Sequence, residues 1–158
     1  ETAELTAVLF VLIIAGLLFS RFLVLSGFVS DLTGFVTGSG LSPGTFILLM
    51  VLMYFVLGMF IDPLSMLVMT VPFVFPVIQA YGMHPIWFGV ILCKMIEIGV
   101  ITPPVGLNLF AVVGASEGRV TIGEVYVGIL PFILIELVIL TVLILIPEIS
   151  TYLPDTMM

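Results

Sequence analysis

The sequence predicts an all-α, multi-pass membrane protein whose helices are interrupted in two places. Three observations carry that prediction. Hydrophobic residues make up 62% of the chain and charged residues 8%, where a soluble domain carries about 25% charged. Mean hydropathy is +1.46, and the apolar residues come in long runs suited to crossing a bilayer. Clusters of glycine, proline and polar residues break those runs at residues 58–65 and again at 101–108.

The composition also excludes functions. A net charge of −7 rules out a basic nucleic-acid surface. The single Cys93 cannot form an internal disulfide and says nothing of redox compartment. No signal peptide is visible. The chain starts at Glu1 and enters a hydrophobic run at once, so it reads as the C-terminal piece of a longer protein. No GxSxG or HExxH motif occurs, and one histidine and one cysteine do not build a dyad or a metal cluster. An enzyme is not expected.

Taken in order, residues 1–27 form the first span, apolar over residues 5–27 apart from Ser20 and Arg21 within it and Thr6 and Ser26 near its ends. A guanidinium at mid-span costs on the order of 2.5–3.5 kcal/mol on insertion scales. Arg21 therefore either snorkels to an interface or faces a cavity, where it is available to an anionic substrate. Residues 28–43 are too rich in glycine, serine and threonine to span. They read as an interfacial arm, with Phe28, Leu32, Phe35 and Val36 dipping into lipid and Asp31 at the headgroups.

Residues 44–81 read as a re-entrant helical hairpin. Its arms are the apolar stretches 44–57 and 66–78, each short for a span. Its tip holds Gly58, Asp62, Pro63 and Ser65. Asp62 suits the N-cap of the second arm and Pro63 its first turn. The alternative is one long span over residues 45–71, kinked at Pro63. Residues 79–85 are a loop, where His84 reads as an interfacial residue rather than a proton carrier. Trp87 suits the aromatic belt.

Residues 85–115 are a broken helix. Lys94 and Glu97 are three apart and share a face. They neutralise one another, or Glu97 anchors the break. Thr121 and Glu124 form a capping-box pattern. Residues 124–147 are the last span, ended by Pro147, and Glu136 inside it is expected to pair outside this sequence or to face a protein interface. Residues 149–158 read as a short acidic tail. Arg119 faintly places the 116–124 loop in the cytoplasm and the C-terminus outside.

The break itself carries the chemistry. Pro103 and Pro104 remove two backbone donors and fix two φ angles. Thr102 and Pro103, each before a proline, are pushed out of the α region, and Gly106 accepts whatever dihedral closes the turn. Carbonyls freed inside a bilayer are tolerated only in protein or along a cavity. Paired interrupted segments mark cation and substrate sites in secondary transporters.

The strings Gly58-Met59-Phe60-Ile61-Asp62-Pro63, Phe75-Pro76-Val77-Ile78, Phe88-Gly89-Val90 and, above all, Ile98-Gly99-Val100-Ile101-Thr102-Pro103-Pro104-Val105-Gly106-Leu107-Asn108-Leu109-Phe110 resemble the large membrane subunit of TRAP (tripartite ATP-independent periplasmic) transporters. The resemblance is densest over residues 58–115. It implies the second half of an inverted-repeat, ion-transporter-type elevator fold in the bacterial inner membrane. A small membrane subunit and a periplasmic substrate-binding protein are the implied partners. Uptake of a small organic anion, such as a C4-dicarboxylate, sialic acid or a 2-oxo acid, driven by Na⁺, is the implied activity. A pore with a carbonyl filter and a structural half that binds nothing alone are the alternatives.

On that reading the hairpin tip and the break share a Na⁺ site. Its candidates are backbone oxygens around Gly58, Gly99 and Thr102, the Thr102 hydroxyl and Asp62, because hard cations want several oxygens. Pro103 holds carbonyls off the helical ladder, Gly106 closes the turn, and Asn108 is expected to secure the break through its amide. Arg21 is expected to pair with a substrate carboxylate or with Asp62.

Overall fold

A computed structural model of the chain describes residues 2–103 and 105–157. Pro104, half of the double proline, lies outside the described residues. The described residues form helices α1 (Thr2–Leu25), α2 (Phe28–Gly38), α3 (Pro43–Gly58), α4 (Pro63–Ala80), α5 (Pro85–Ile101), α6 (Leu107–Ala115), α7 (Ile122–Leu145) and α8 (Glu148–Met157), with no strand among them. The all-α expectation holds. Three helices, α1, α4 and α7, are long and apolar enough to cross a membrane.

Local chemistry starts the helices. Three begin with a capping side chain followed by proline at the first position. Ser42 accepts from the Thr45 N–H before Pro43, Asp62 from the Ser65 N–H before Pro63, and His84 Nδ1 from the Ile86 N–H before Pro85. Each pair supplies an acceptor for an orphan donor and a preset φ. A full capping box between Thr121 and Glu124 starts α7.

The chain reverses between α3 and α4, so a single span over residues 45–71 is not formed. The Tyr54 hydroxyl on α3 meets Thr70 Oγ1 on α4 at 2.5 Å. Next, α5 runs back alongside α3, and α7 runs antiparallel to α5, pairing Trp87 with Leu143 and Lys94 with Glu136. On the far side α1 lies along α4 with Gly16 against Val68. The core centres on α5, where Phe88, Ile91, Met95, Ile98 and Val100 are nearly inaccessible, packed with Tyr54, Met66, Val77 and Ile78. The outer faces of α1 and α7 are apolar and exposed.

Four expectations need correction. Phe28, Leu32 and Val36 turn toward the hairpin and line a pocket of about 360 Å³ with Phe46, Met50 and Phe73. Phe28 meets Phe73 edge-on at 6.0 Å, and of the four arm residues expected in lipid only Phe35 points clear of this pocket, with 75% exposure. Trp87 is buried against α7 rather than turned outward to lipid. Its indole N–H donates to the Leu143 carbonyl at 2.8 Å, an oxygen whose helical donor would be the N–H that Pro147 lacks. Glu136 pairs within this chain, with Lys94 at 3.0 Å. The acidic tail is the helix α8, and Pro147 separates it from α7.

Candidate functional site

The hairpin tip and the break meet. Gly58 ends α3 and Gly99 lies in the last turn of α5, and both are buried. A Cβ on Gly58 would stand 2.6 Å from the Gly99 Cα, and one on Gly99 would stand 2.7 Å from the Gly58 Cα and 3.1 Å from the Tyr54 carbonyl oxygen. Only glycine allows two backbones this close.

Around this contact the main-chain acceptors are released from the helical ladder. At the break, the Gly99 carbonyl takes the Thr102 N–H at 3.0 Å. The donors that would serve Val100 do not exist, because residues 103 and 104 are prolines. No described backbone N–H reaches the carbonyls of Ile101 or Thr102. At the tip, the Phe60 and Ile61 N–H groups both turn to Leu57, and the Gly58 and Met59 carbonyls take no described backbone donor.

Thr102 is the buried polar residue of the break, 6% exposed. Its backbone is extended, φ −92° and ψ 132°, as a residue before proline prefers. Its hydroxyl donates to the Ile98 carbonyl at 2.5 Å. That bond uses the proton and leaves oxygen lone pairs for another donor or a cation. Pro103 follows, half-buried. Gly106 closes the turn with φ 57° and ψ 71°, left-handed, and its carbonyl accepts the Leu109 N–H at 2.7 Å.

The other two candidates at the crossing stand at its edge. Asp62 is exposed and its Oδ1 accepts the Ser65 N–H at 3.0 Å, which leaves Oδ2 open. Asn108 is exposed and its amide bonds to no described residue. It faces a pocket of about 370 Å³ lined by Pro63, Leu67, Cys93, Ile96, Glu97 and Val100. The expected tie from the Asn108 amide to the freed carbonyls is not among the described hydrogen bonds; at the first turn of α6 the residue lines this pocket.

Arg21 does not join the group. It is exposed on α1 and makes no hydrogen bond or ion pair with a described residue. With Gly16 opposite Val68, Arg21 sits about ten residues along α4 from Asp62, roughly 15 Å at 1.5 Å per residue. At that separation no Arg21–Asp62 pair is formed.

Lys94 and Glu97 are joined at 3.0 Å, and Lys94 also reaches both Glu136 oxygens, at 3.0 and 3.3 Å. The neutralising partner of Lys94 is thus double, one carboxylate on its own helix and one on α7. Two polar contacts went unread in the sequence. One is Tyr54–Thr70, for which the signal was a hydroxyl in an otherwise apolar run, since a buried tyrosine seeks a partner. The other is Tyr81, whose hydroxyl donates to the Leu41 carbonyl at 2.9 Å.

Comparison with known proteins completes this picture. The profile of the family described as "Tripartite ATP-independent periplasmic transporter, DctM component" matches residues 1–149. The chain belongs to the DctM family. A C4-dicarboxylate TRAP transporter large permease protein, DctM of Pseudomonas aeruginosa, is 36% identical over 98% of this chain and 36% of its own length. The sialic acid TRAP transporter permease protein SiaT of Haemophilus influenzae is 33% identical over 72% of this chain and 18% of its own. The ectoine/5-hydroxyectoine large permease protein UehC of Ruegeria pomeroyi is 29% identical over 98% and 36%. The chain spans about a third of the length of the first of these relatives. As a DctM-family chain with apolar helices of spanning length, it is a multi-pass membrane protein, and its relatives are permeases rather than enzymes.

Proposed function

We propose that this chain is part of a secondary active transporter that takes up a small organic anion with a Na⁺ gradient, in the bacterial inner membrane. The observation that carries the reading is the contact of Gly58 with Gly99, which brings together two interruptions that each free main-chain oxygens; the buried Thr102 hydroxyl belongs to the second of them. Half-helix ends with loose carbonyls suit a cation. Gly58, Gly99, Thr102 and Asp62 supply the oxygens for Na⁺, while Pro103 and Gly106 hold the backbone open. Asn108 stands on the substrate side, in the pocket beside Glu97 and Pro63. Arg21 offers the positive charge that a carboxylate needs.

The fold proposed is the second half of an inverted repeat, with α3–α4 as a re-entrant hairpin and α5–α6 as a broken helix, moving as an elevator. A small membrane subunit and a periplasmic substrate-binding protein complete the system. The relatives' names span C4-dicarboxylate, sialic acid and ectoine, so the cargo is assigned only as a small organic acid.

The test uses the full-length permease with both partners in proteoliposomes. Uptake of a labelled C4-dicarboxylate or sialic acid should require a Na⁺ gradient and fail with K⁺. Thr102→Val should raise the half-saturating Na⁺ concentration about tenfold, the equivalent of about 1.4 kcal/mol. Thr102→Ser should keep it near the parent value. Uptake indifferent to Na⁺, or ion conduction uncoupled from substrate as in a pore, would refute the proposal.

A further inference from the structure

The proposed transport reading leaves α8 without a role. This helix begins at Glu148, three residues after α7 ends at Leu145. α7 is 24 residues of high hydropathy, about 36 Å at 1.5 Å per residue, enough to cross the hydrocarbon layer of about 30 Å. The start of α8 is therefore held at a membrane surface.

Its direction follows from two contacts. Leu143, near the end of α7, receives the Trp87 indole N–H, and Asp155, twelve residues later, stands 3.5 Å from His84 Nε2. His84 and Trp87 are neighbours at the start of α5. A straight continuation of α7 would carry Asp155 roughly 15 Å beyond that level. Instead α8 folds across the helix ends and stays at their depth.

The two sides of α8 differ. Thr151 is buried and Asp155 reaches His84, so positions i and i+4 form the docked side. Ile149, Tyr152, Leu153 and Met157, at i, i+3, i+4 and i+8, are exposed, from 56% at Ile149 to 78% at Met157. That spacing makes one apolar stripe. The helix has acidic but no basic residues, so attraction to anionic headgroups cannot hold it.

We propose that α8 is an interfacial anchor that lies in the plane of the bilayer, with its Ile149–Leu153–Met157 stripe among the upper acyl segments. Continuity with a spanning helix favours lipid as the occupant, and the absence of positive charge leaves only the apolar stripe to hold it. Apolar area then supplies the attachment, and anionic lipid adds nothing.

The test is a nitroxide scan along 148–157 of the full-length permease, cysteine-free elsewhere (Cys93→Ser included), in phosphatidylcholine vesicles. Labels at Ile149, Leu153 and Met157 should collide with oxygen more often than with a water-soluble nickel chelate. Glu148 should show the reverse. Adding phosphatidylglycerol should not deepen the labels. Nickel accessibility at Leu153 would place the stripe in water. Exclusion of both reagents there would place it against protein. Deepening with anionic lipid would mean attachment by charge. Each of these results overturns the proposal.

Discussion

The Cα of Gly99 occupies the space that any side chain on Gly58 would need. The hairpin tip and the helix break are therefore joined main chain to main chain. Gly99→Ala puts a methyl against backbone on two sides, the Gly58 Cα and the Tyr54 carbonyl, neither of which can swing away. The expected loss is about 1–3 kcal/mol, as for overpacking elsewhere, together with weaker Na⁺ dependence of uptake. Thermal unfolding of the purified permease and a Na⁺ titration of transport check both. An alanine variant with the parent's melting temperature would mean that the helices slide apart freely.

Lys94 is a shared cation between two carboxylates. Lys94→Met leaves Glu136, 24% exposed on its side chain, without its partner. Stability should fall by about 1–3 kcal/mol, below the full cost of breaking a wholly buried pair because both groups keep some access to solvent. Lys94→Met combined with Glu136→Gln should recover part of the loss. Denaturation of the two variants in the same detergent is the measurement, and an additive double mutant would deny the coupling.

The Trp87–Leu143 bond fills an acceptor left open by Pro147. Trp87→Phe should cost about 1 kcal/mol from the lost hydrogen bond, plus some packing. In a Pro147→Ala background a backbone N–H becomes available to Leu143, and the Trp87→Phe cost should shrink. Equal costs in the two backgrounds would show that the indole contributes by packing alone.

Asn108 faces a pocket without a protein partner. Asn108→Ala should leave stability within about 0.5 kcal/mol of the parent, as substitutions away from packed or bonded features do. Its effect should appear instead in substrate KM. Loss of folding in this variant would restore the bracing role that the sequence suggested.

What could be read from the sequence was what is local. The starts of α3, α4 and α5 are written in adjacent cap–proline pairs, Ser42-Pro43, Asp62-Pro63 and His84-Pro85. The break announces itself because Pro103 and Pro104 remove donors wherever they stand. The partners of Trp87 and Lys94 lie 56 and 42 residues away, and no local pattern encodes them. An indole at a helix start looks the same facing lipid or facing a neighbouring helix. The Asn108 amide was legible as a pair of donors and an acceptor, but its direction depends on how α6 leaves the break. The arm at residues 28–43 was legible as interfacial, and only the position of Phe73 decides which way its apolar residues turn.

The Lys94–Glu97–Glu136 cluster has an electrical consequence. One positive and two negative formal charges leave it at −1. A charge carried through the whole membrane potential exchanges about 2.3 kcal/mol per 100 mV. On the proposed reading this cluster travels with the break, so its net charge moves through the membrane potential with the empty carrier as well as the loaded one. Transient currents recorded without substrate or sodium would then include a contribution from these three side chains.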